Sequence, residues 1–270
     1  MEEYDVLRAL KARKLNLPRT LEWLHSHRQW WKENQPREKR LIMQGDAGVK
    51  LMMGSRMARW FALDKDGIPF FYADLQHWAP HLVSCADHTN FTICGLELMR
   101  EAGRLFCPGE PVYGAVIDIR RWALWHANYI FYILDFFLMF LEHYPQCISR
   151  IYLLNAPKIF AQAWKIIRRA LDEWTRERID FVTDDEIYAG YFLARFDASE
   201  LYTNLGGTRD PAELESDVVP GFAAQPGTDL DPELTFNWRE KPMPPRIQRL
   251  IAQAKEQAKQ AKRDKASQKA

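Results

Sequence analysis

The chain has 270 residues, 47% of them hydrophobic and 13% aromatic, with a formal net charge of +1. That length holds one large domain or two small ones, and the near-neutral balance excludes wholesale nucleic-acid binding, which needs a strong basic excess. The charged start MEEYDVLRALKARK is no secretory signal, and Cys85, Cys94, Cys107 and Cys147 show no C-x-x-C spacing, so the expectation is a cytoplasmic protein with reduced thiols.

Val6, Leu7 and Leu10 share a helical face, and Pro18 opens a second helix through Leu21, Leu24 and Trp31. Gly45 and Gly48 mark a loop. In RMARWFALDKDGIPFFYADL two apolar runs flank Asp64-Lys65-Asp66-Gly67, a hairpin pattern. HWAPHLVSCADH then offers His77, His81, Cys85 and His88, side chains of the kind that hold zinc. Pro80, however, interrupts the helix that would align His77 with His81, and Cys85 has no nearby cysteine partner. Turn and cap histidines are therefore expected, and no metal.

A helix through Leu96, Met99 and Leu105 follows, and VYGAVIDI (Val112 to Ile119) reads as a buried strand. Asp118 ends it, where catalytic carboxylates often sit; with no second group in view, a structural hydrogen-bonding role is expected. YIFYILDFFLMFL (Tyr129 to Leu141) is too short to span a bilayer and carries Asp135, so it reads as a helix buried against the sheet.

The run Ile151-Tyr152-Leu153-Leu154 stops at Asn-Ala-Pro and reads as a buried strand, with Pro157 suited to the first turn of a helix. At helical spacing Ile159, Phe160, Ala163, Trp164, Ile166, Ile167, Ala170 and Leu171 fill one arc, and Lys158, Gln162, Lys165, Arg168 and Arg169 the other. Such a helix either docks on its own core or covers something removable. RIDFV (Arg178 to Val182) reads as a further strand, and Gly206-Gly207 close the compact pattern. Strands alternating with helices predict an α/β fold with a mixed, mostly parallel sheet.

From Thr208 to Glu240 two arginines face eight carboxylates among four prolines, the composition of an extended linker. From Lys241 to Ala270 nine basic residues face two acidic ones. This Ala/Gln/Lys-rich tail is read as a solvated helical or disordered segment, with contact to a membrane surface or an acidic partner as the alternative. No G-x-S-x-G, G-x-G-x-x-G or G-x-x-x-x-G-K-[ST] is present, so neither an enzyme nor a cofactor is expected.

Taken together, VLRALKARKLNLPRTLEWLHSHRQWW, LDKDGIPFFYADL, VIDI, YPQCISRIYLLNAPKIFAQAWKII, TRERI and LYTNLGG resemble, in order and spacing, the landmarks of the CRAL-TRIO lipid-transfer family from about Val6 to Gly207. The resemblance implies an N-terminal helical lobe (residues 1–44) and an α/β lipid-binding lobe (45–207) with flanking helices and a gated lipid cavity. The linker (208–240) and tail (241–270) follow. It also implies that Ile159, Phe160, Ala163, Trp164, Ile167 and Leu171 form a movable gate against acyl chains. Burying a chain is worth about 0.8 kcal/mol per CH₂, but a bilayer offers nearly the same, so headgroup contacts must select the lipid.

In members that bind phosphatidylinositol, an Arg-Lys pair of the first motif approaches the headgroup; Arg13 and Lys14 match it. A Thr and a Lys three residues later contact phosphate and inositol, and Thr175 and Arg178 stand there, Arg offering a planar fork to phosphate. Taken alone, Thr175 reads equally as a helix cap and Arg178 as a solvated charge. Gln146 replaces the family's Glu in Tyr-Pro-Glu, leaving the site more positive. The Ser and Thr of phosphatidylcholine-binding members match Tyr113 and Ala115, which does not support that lipid. A missing Pro in IIRRALDEW and Tyr202 in place of Pro are further departures, placed by the resemblance near the gate or its hinge. The expected partners are a phospholipid, most simply phosphatidylinositol, and transiently a membrane surface. The alternatives are a sterol, tocopherol or retinoid, or a protein-interaction module with a structural lipid.

Overall fold

The computed structural model describes residues 3–35, 57–78 and 80–210. The loop at Gly45 and Gly48, the boundary at residue 44, the basic tail and nearly all of the acidic stretch lie outside the described residues.

Two helices open the chain, α1 (Glu3–Ala12) and α2 (Leu17–Asn34). Asn16 caps α2 by accepting from the Arg19 N–H at 3.1 Å, with a proline in the first turn. Lys14 and Leu15 take left-handed backbone angles, φ 53° and 61°, to reverse the chain between the helices. Strands β1 (Ala58–Leu63) and β2 (Pro69–Asp74) pair antiparallel around the Asp-Lys-Asp-Gly turn, where the Asp64 carboxylate accepts from the Ile68 N–H at 2.7 Å. A helix α3 (Cys85–Phe106) leads to β3 (Tyr113–Asp118), α4 (Ile130–His143) to β4 (Ile148–Leu154), and α5 (Phe160–Ala170) with the short α6 (Glu173–Arg176) to β5 (Ile179–Val182). The five strands lie in sequence order, with β2 to β5 parallel. The predicted mixed, mostly parallel sheet with flanking helices is the observed one.

Alternation along the strands sorts two cores. Tyr113, Ile151 and Leu153 join the core built with α3, α4 and α5. Phe70, Val116, Tyr152 and Val182 point to the other face, covered by Ile187 of α7 (Asp184–Tyr188) and by Phe192, Phe196 and Tyr202. Gly114 is required between them: a Cβ there would stand 2.1 Å from the Phe70 ring. Tyr202 therefore packs on the face away from α5, not at its hinge. It serves the closing turn, its hydroxyl accepting from Arg209 at 3.2 Å.

Three local expectations change. The helix after Asn-Ala-Pro begins at Phe160 instead of Pro157, because Asn155 turns the chain at φ 53° and a single turn (Phe160 N–H to Pro157 C=O, 2.8 Å) precedes it. The apolar run at 129–141 is extended by a 3-10 turn, and together Leu124–His143 is long and apolar enough by composition to cross a bilayer. That segment is only partly buried, with Tyr132, Phe137 and Phe140 inward while Leu124, Phe131 and Leu138 are exposed. His88 is a buried core residue, not a turn or cap histidine.

Asp118 has the structural role expected of it, accepting from Arg120 Nε at 2.7 Å and from the Tyr72 hydroxyl at 3.4 Å. Among the described residues no cluster of three His, Cys, Asp or Glu is placed to hold a metal.

Candidate functional site

Between the sheet and helices α3, α4 and α5 lies a cavity of about 200 Å³ with an almost wholly apolar lining. Its floor is the alternating set Tyr113, Ala115, Ile117 of β3 with Ile151 and Leu153 of β4. Helix α4 supplies Ile133, Phe136, Phe137 and Phe140, and α3 supplies Phe91, Leu96 and Met99. From α5, Phe160, Trp164 and Ile167 line it, at the four- and three-residue steps that put them on one strip.

Of the remaining residues expected in the gate, Ala163 and Leu171 are buried in the same core without lining the cavity. Ile159, just before the helix, is 42% exposed and faces outward, as does Ile166. The strip is thus narrower than the arc read from spacing.

Of the five expected headgroup positions, Gln146, Thr175 and Arg178 lie just before strands β4 and β5, and Arg13 and Lys14 lie on the turn between α1 and α2. Gln146 (φ 53°) immediately precedes β4 and Arg178 precedes β5, its carbonyl accepting from the Ile151 N–H at 2.8 Å. Arg13 lies over the Trp23 ring at 4.6 Å, and Trp23 in turn hydrogen-bonds the carbonyl of Glu142 near the same corner. Burial pushes the Arg13 guanidinium pKa down, partly offset by Glu142. Lys14 is exposed on its left-handed turn.

Thr175 is not a cap: Asp172 caps α6, accepting from the Thr175 N–H at 2.8 Å. The Thr175 hydroxyl is buried and has no hydrogen-bond partner. Nor is Arg178 freely solvated. Its guanidinium lies 3.7 Å over the Trp174 ring and donates to the Trp174 carbonyl at 2.9 Å. Burial, and then the charge of Arg150, push its pKa down, opposed by Glu177 and Asp172. No contact joins Arg13 directly to Arg178 among those described.

The N-terminal helices are bound to this end. Arg8 donates to Cys147 Sγ at 3.3 Å and to the Pro111 carbonyl, and Asp5 of α1 lies 3.9 Å from Arg100 of α3, which pairs with Glu97 at 2.7 Å. These tertiary partners carry no signal in the sequence.

A second, open cleft of about 730 Å³ lies on the opposite face. Its basic side chains are already matched, Arg195 to Asp64 at 2.8 Å, Arg150 to Asp180 at 3.4 Å and Lys65 to the Leu193 carbonyl at 2.7 Å. Polar and apolar groups share its lining, the latter from Tyr152, Ala189, Tyr191 and Ala194.

An α/β fold with an apolar chamber between its sheet and its helices has the form of a ligand-enclosing protein. The profile of the CRAL/TRIO domain matches residues 54–207, and the chain belongs to that family. Phosphatidylinositol transfer protein CSR1 of Eremothecium gossypii is 27% identical over 233 residues, covering 81% of this chain and 50% of that protein. Protein real-time of Aedes aegypti is 25% identical over 194 residues, covering 65% of this chain and 28% of its own length. The chain thus spans half or less of these relatives. The crystal structure of Sfh5 superposes with a TM-score of 0.63 at 16% identity, over 85% of this chain and 77% of that one, a likeness of fold.

Proposed function

We propose that this chain binds one lipid in the apolar cavity and carries or presents it between membranes, with α5 as the movable wall and phosphatidylinositol as the leading ligand. The observation that carries this reading is the cavity itself, closed on one side by Phe160, Trp164 and Ile167. Its free interior of about 200 Å³ is below the roughly 300–1,000 Å³ of ordinary ligand pockets, so a lipid enters only if a wall moves. Helix α5 is a short, two-faced wall: it presents Phe160, Trp164 and Ile167 to the cavity and Lys165 and Arg168 outward.

At the strand-start end an anionic headgroup would meet the Arg178 guanidinium, a charge-assisted donor of planar geometry. The unpartnered Thr175 hydroxyl offers a donor there. The name of the Eremothecium relative, a phosphatidylinositol transfer protein, points the same way. Exposed Leu124, Trp125, Phe131 and Leu138 supply an apolar surface for transient membrane contact by a peripheral, cytoplasmic protein with no catalytic step.

Native mass spectrometry of the purified protein, with extraction of what it carries, is the test. Co-purified or exchangeable phosphatidylinositol supports the proposal. A sterol, tocopherol or retinoid alone would replace the ligand but keep the carrier, and a permanently filled cavity that never exchanges with vesicles would favour an interaction module with a structural lipid.

A further inference from the structure

Two polar atoms in the residues lining the apolar cavity have no hydrogen-bond partner, Nδ1 of His88 and the hydroxyl of Tyr113. They belong to opposite ends. Tyr113 begins β3, its N–H donating to the Cys147 carbonyl at 3.0 Å beside the N-terminal helices. His88 lies in the first turn of α3, past the far ends of the strands, where Trp78 stacks with Trp122 at 6.4 Å. From Tyr113 to Ile119 the extended chain covers ~20 Å, about the length of a lipid's hydrocarbon part.

The tautomer of His88 follows from its neighbours. Trp78 Nε1–H donates to His88 Nε2 at 3.3 Å, so Nε2 is the acceptor. Burial, opposed by the charge of Asp135, holds the ring pKa down to about 4, so the imidazole is neutral and its proton sits on Nδ1. The ring is held in place by stacking on Tyr132, centroids 4.4 Å apart at 19°. The Tyr132 hydroxyl is committed to the Val83 carbonyl at 3.3 Å, and Asp135 accepts from Thr89 at 3.0 Å. A fixed N–H is left without an acceptor in a 5% exposed residue.

We propose that His88 is a polar anchor for the buried ligand, its Nδ1–H donating to a hydroxyl, carbonyl or ether oxygen on the end of an elongated apolar molecule remote from Arg178. This inference rests on the carrier reading. It adds a selectivity: a plain hydrocarbon tail leaves the donor unpaired, whereas an oxygenated end satisfies it.

The test offers wild type and His88→Phe phosphatidylcholine vesicles containing phosphatidylinositol and either hexadecan-1-ol or hexadecane. Loading is read by native mass spectrometry and the imidazole by ¹⁵N–¹H NMR of histidine-labelled protein. The expected result is that wild type takes the alcohol over the alkane by roughly tenfold, with the His88 Nδ1–H resonance moving for the alcohol only. His88→Phe should lose that preference, and His88→Gln, which keeps an N–H donor, should regain part of it. Equal uptake of the two probes by wild type, or uptake of neither while phosphatidylinositol loads, overturns the anchor and leaves the carrier standing. Failure to load any lipid overturns both. If His88→Phe does not fold, the wild-type preference and the resonance shift decide by themselves.

Discussion

Phe160 stands edge-on to Trp122, ring centroids 5.1 Å apart and planes at 80°. One turn on, Trp164 meets Phe181 of β5 in the same way, at 5.0 Å and 81°. Helix α5 is therefore held to the body by an aromatic contact after β3 and another on β5, each worth about 0.5–1.5 kcal/mol beyond the area it buries. Phe160 is buried and Trp164 only partly so. Phe160→Ala should cost about 3–5 kcal/mol of stability. Trp164→Asp should cost less in thermal unfolding but cut lipid transfer between vesicles at least tenfold, because it places a charge on the strip that must pass acyl chains. Undiminished transfer by folded Trp164→Asp contradicts a moving strip.

Arg178→Ala removes a charge-assisted donor of the kind worth about 1.5–3 kcal/mol to a phosphate. It also loses the stack on Trp174, a smaller effect on stability. Phosphatidylinositol loading from mixed vesicles should fall while loading of a neutral lipid is unchanged. Equal phosphatidylinositol loading by mutant and wild type would transfer the ligand to the sterol, tocopherol or retinoid group.

Much of the fold is legible in the chain because burial writes a simple pattern. Ile151 to Leu154 is apolar throughout, since both faces of β4 are covered there, whereas Ser149 and Arg150 conceal the beginning of the same strand. The two-faced helix is visible from its spacing, but its start is not, because the turn at Asn155 depends on a tertiary bond from its side-chain amide to Asp184 at 2.8 Å. The cap of α6 is Asp172, three residues before Thr175, a stronger acceptor that local pattern should have favoured. His88 is illegible as a cavity residue: beside His77, His81 and the interrupting Pro80 it reads as a turn or cap histidine, and only Trp78 and Tyr132, brought in by the fold, define its role.

Acid should loosen the protein in a defined window. Burial holds His27 and His88 down to about 4 and His143 to about 3, from an ordinary 6.5; the charge of Arg100 adds to the effect on His27, and that of His27 to the effect on His143. The pair His27 and His143 meet through their Nδ1 atoms at 3.2 Å, and an N–H on one needs a bare nitrogen on the other. With folded values depressed, the unfolded chain takes up protons first as pH falls. Stability is complete above the unfolded value and declines progressively below it, towards about pH 4. Urea midpoints across that range should fall with pH, and His143→Phe should flatten part of the slope. A level profile would contradict the assignment.

The basic segment from Lys241 to Ala270 should assist membrane encounter without being needed to hold lipid. Each basic residue near an anionic surface is worth about 1 kcal/mol. Deleting the segment should weaken binding to phosphatidylserine-containing vesicles at low salt, with little difference at high salt, and leave the bound lipid unchanged. Undiminished low-salt binding would exclude that role.

Hydrogen exchange across residues 157–171 addresses the moving wall most directly. The protein is followed with and without phosphatidylinositol-containing vesicles, under conditions where transfer is measured in parallel. The account predicts that amides of α5 exchange slowly in the free protein and faster when vesicles are present, while those of β3 and β4 stay protected. Slow exchange in α5 that does not change on adding vesicles, while lipid transfers, would show an immobile core helix and contradict the account.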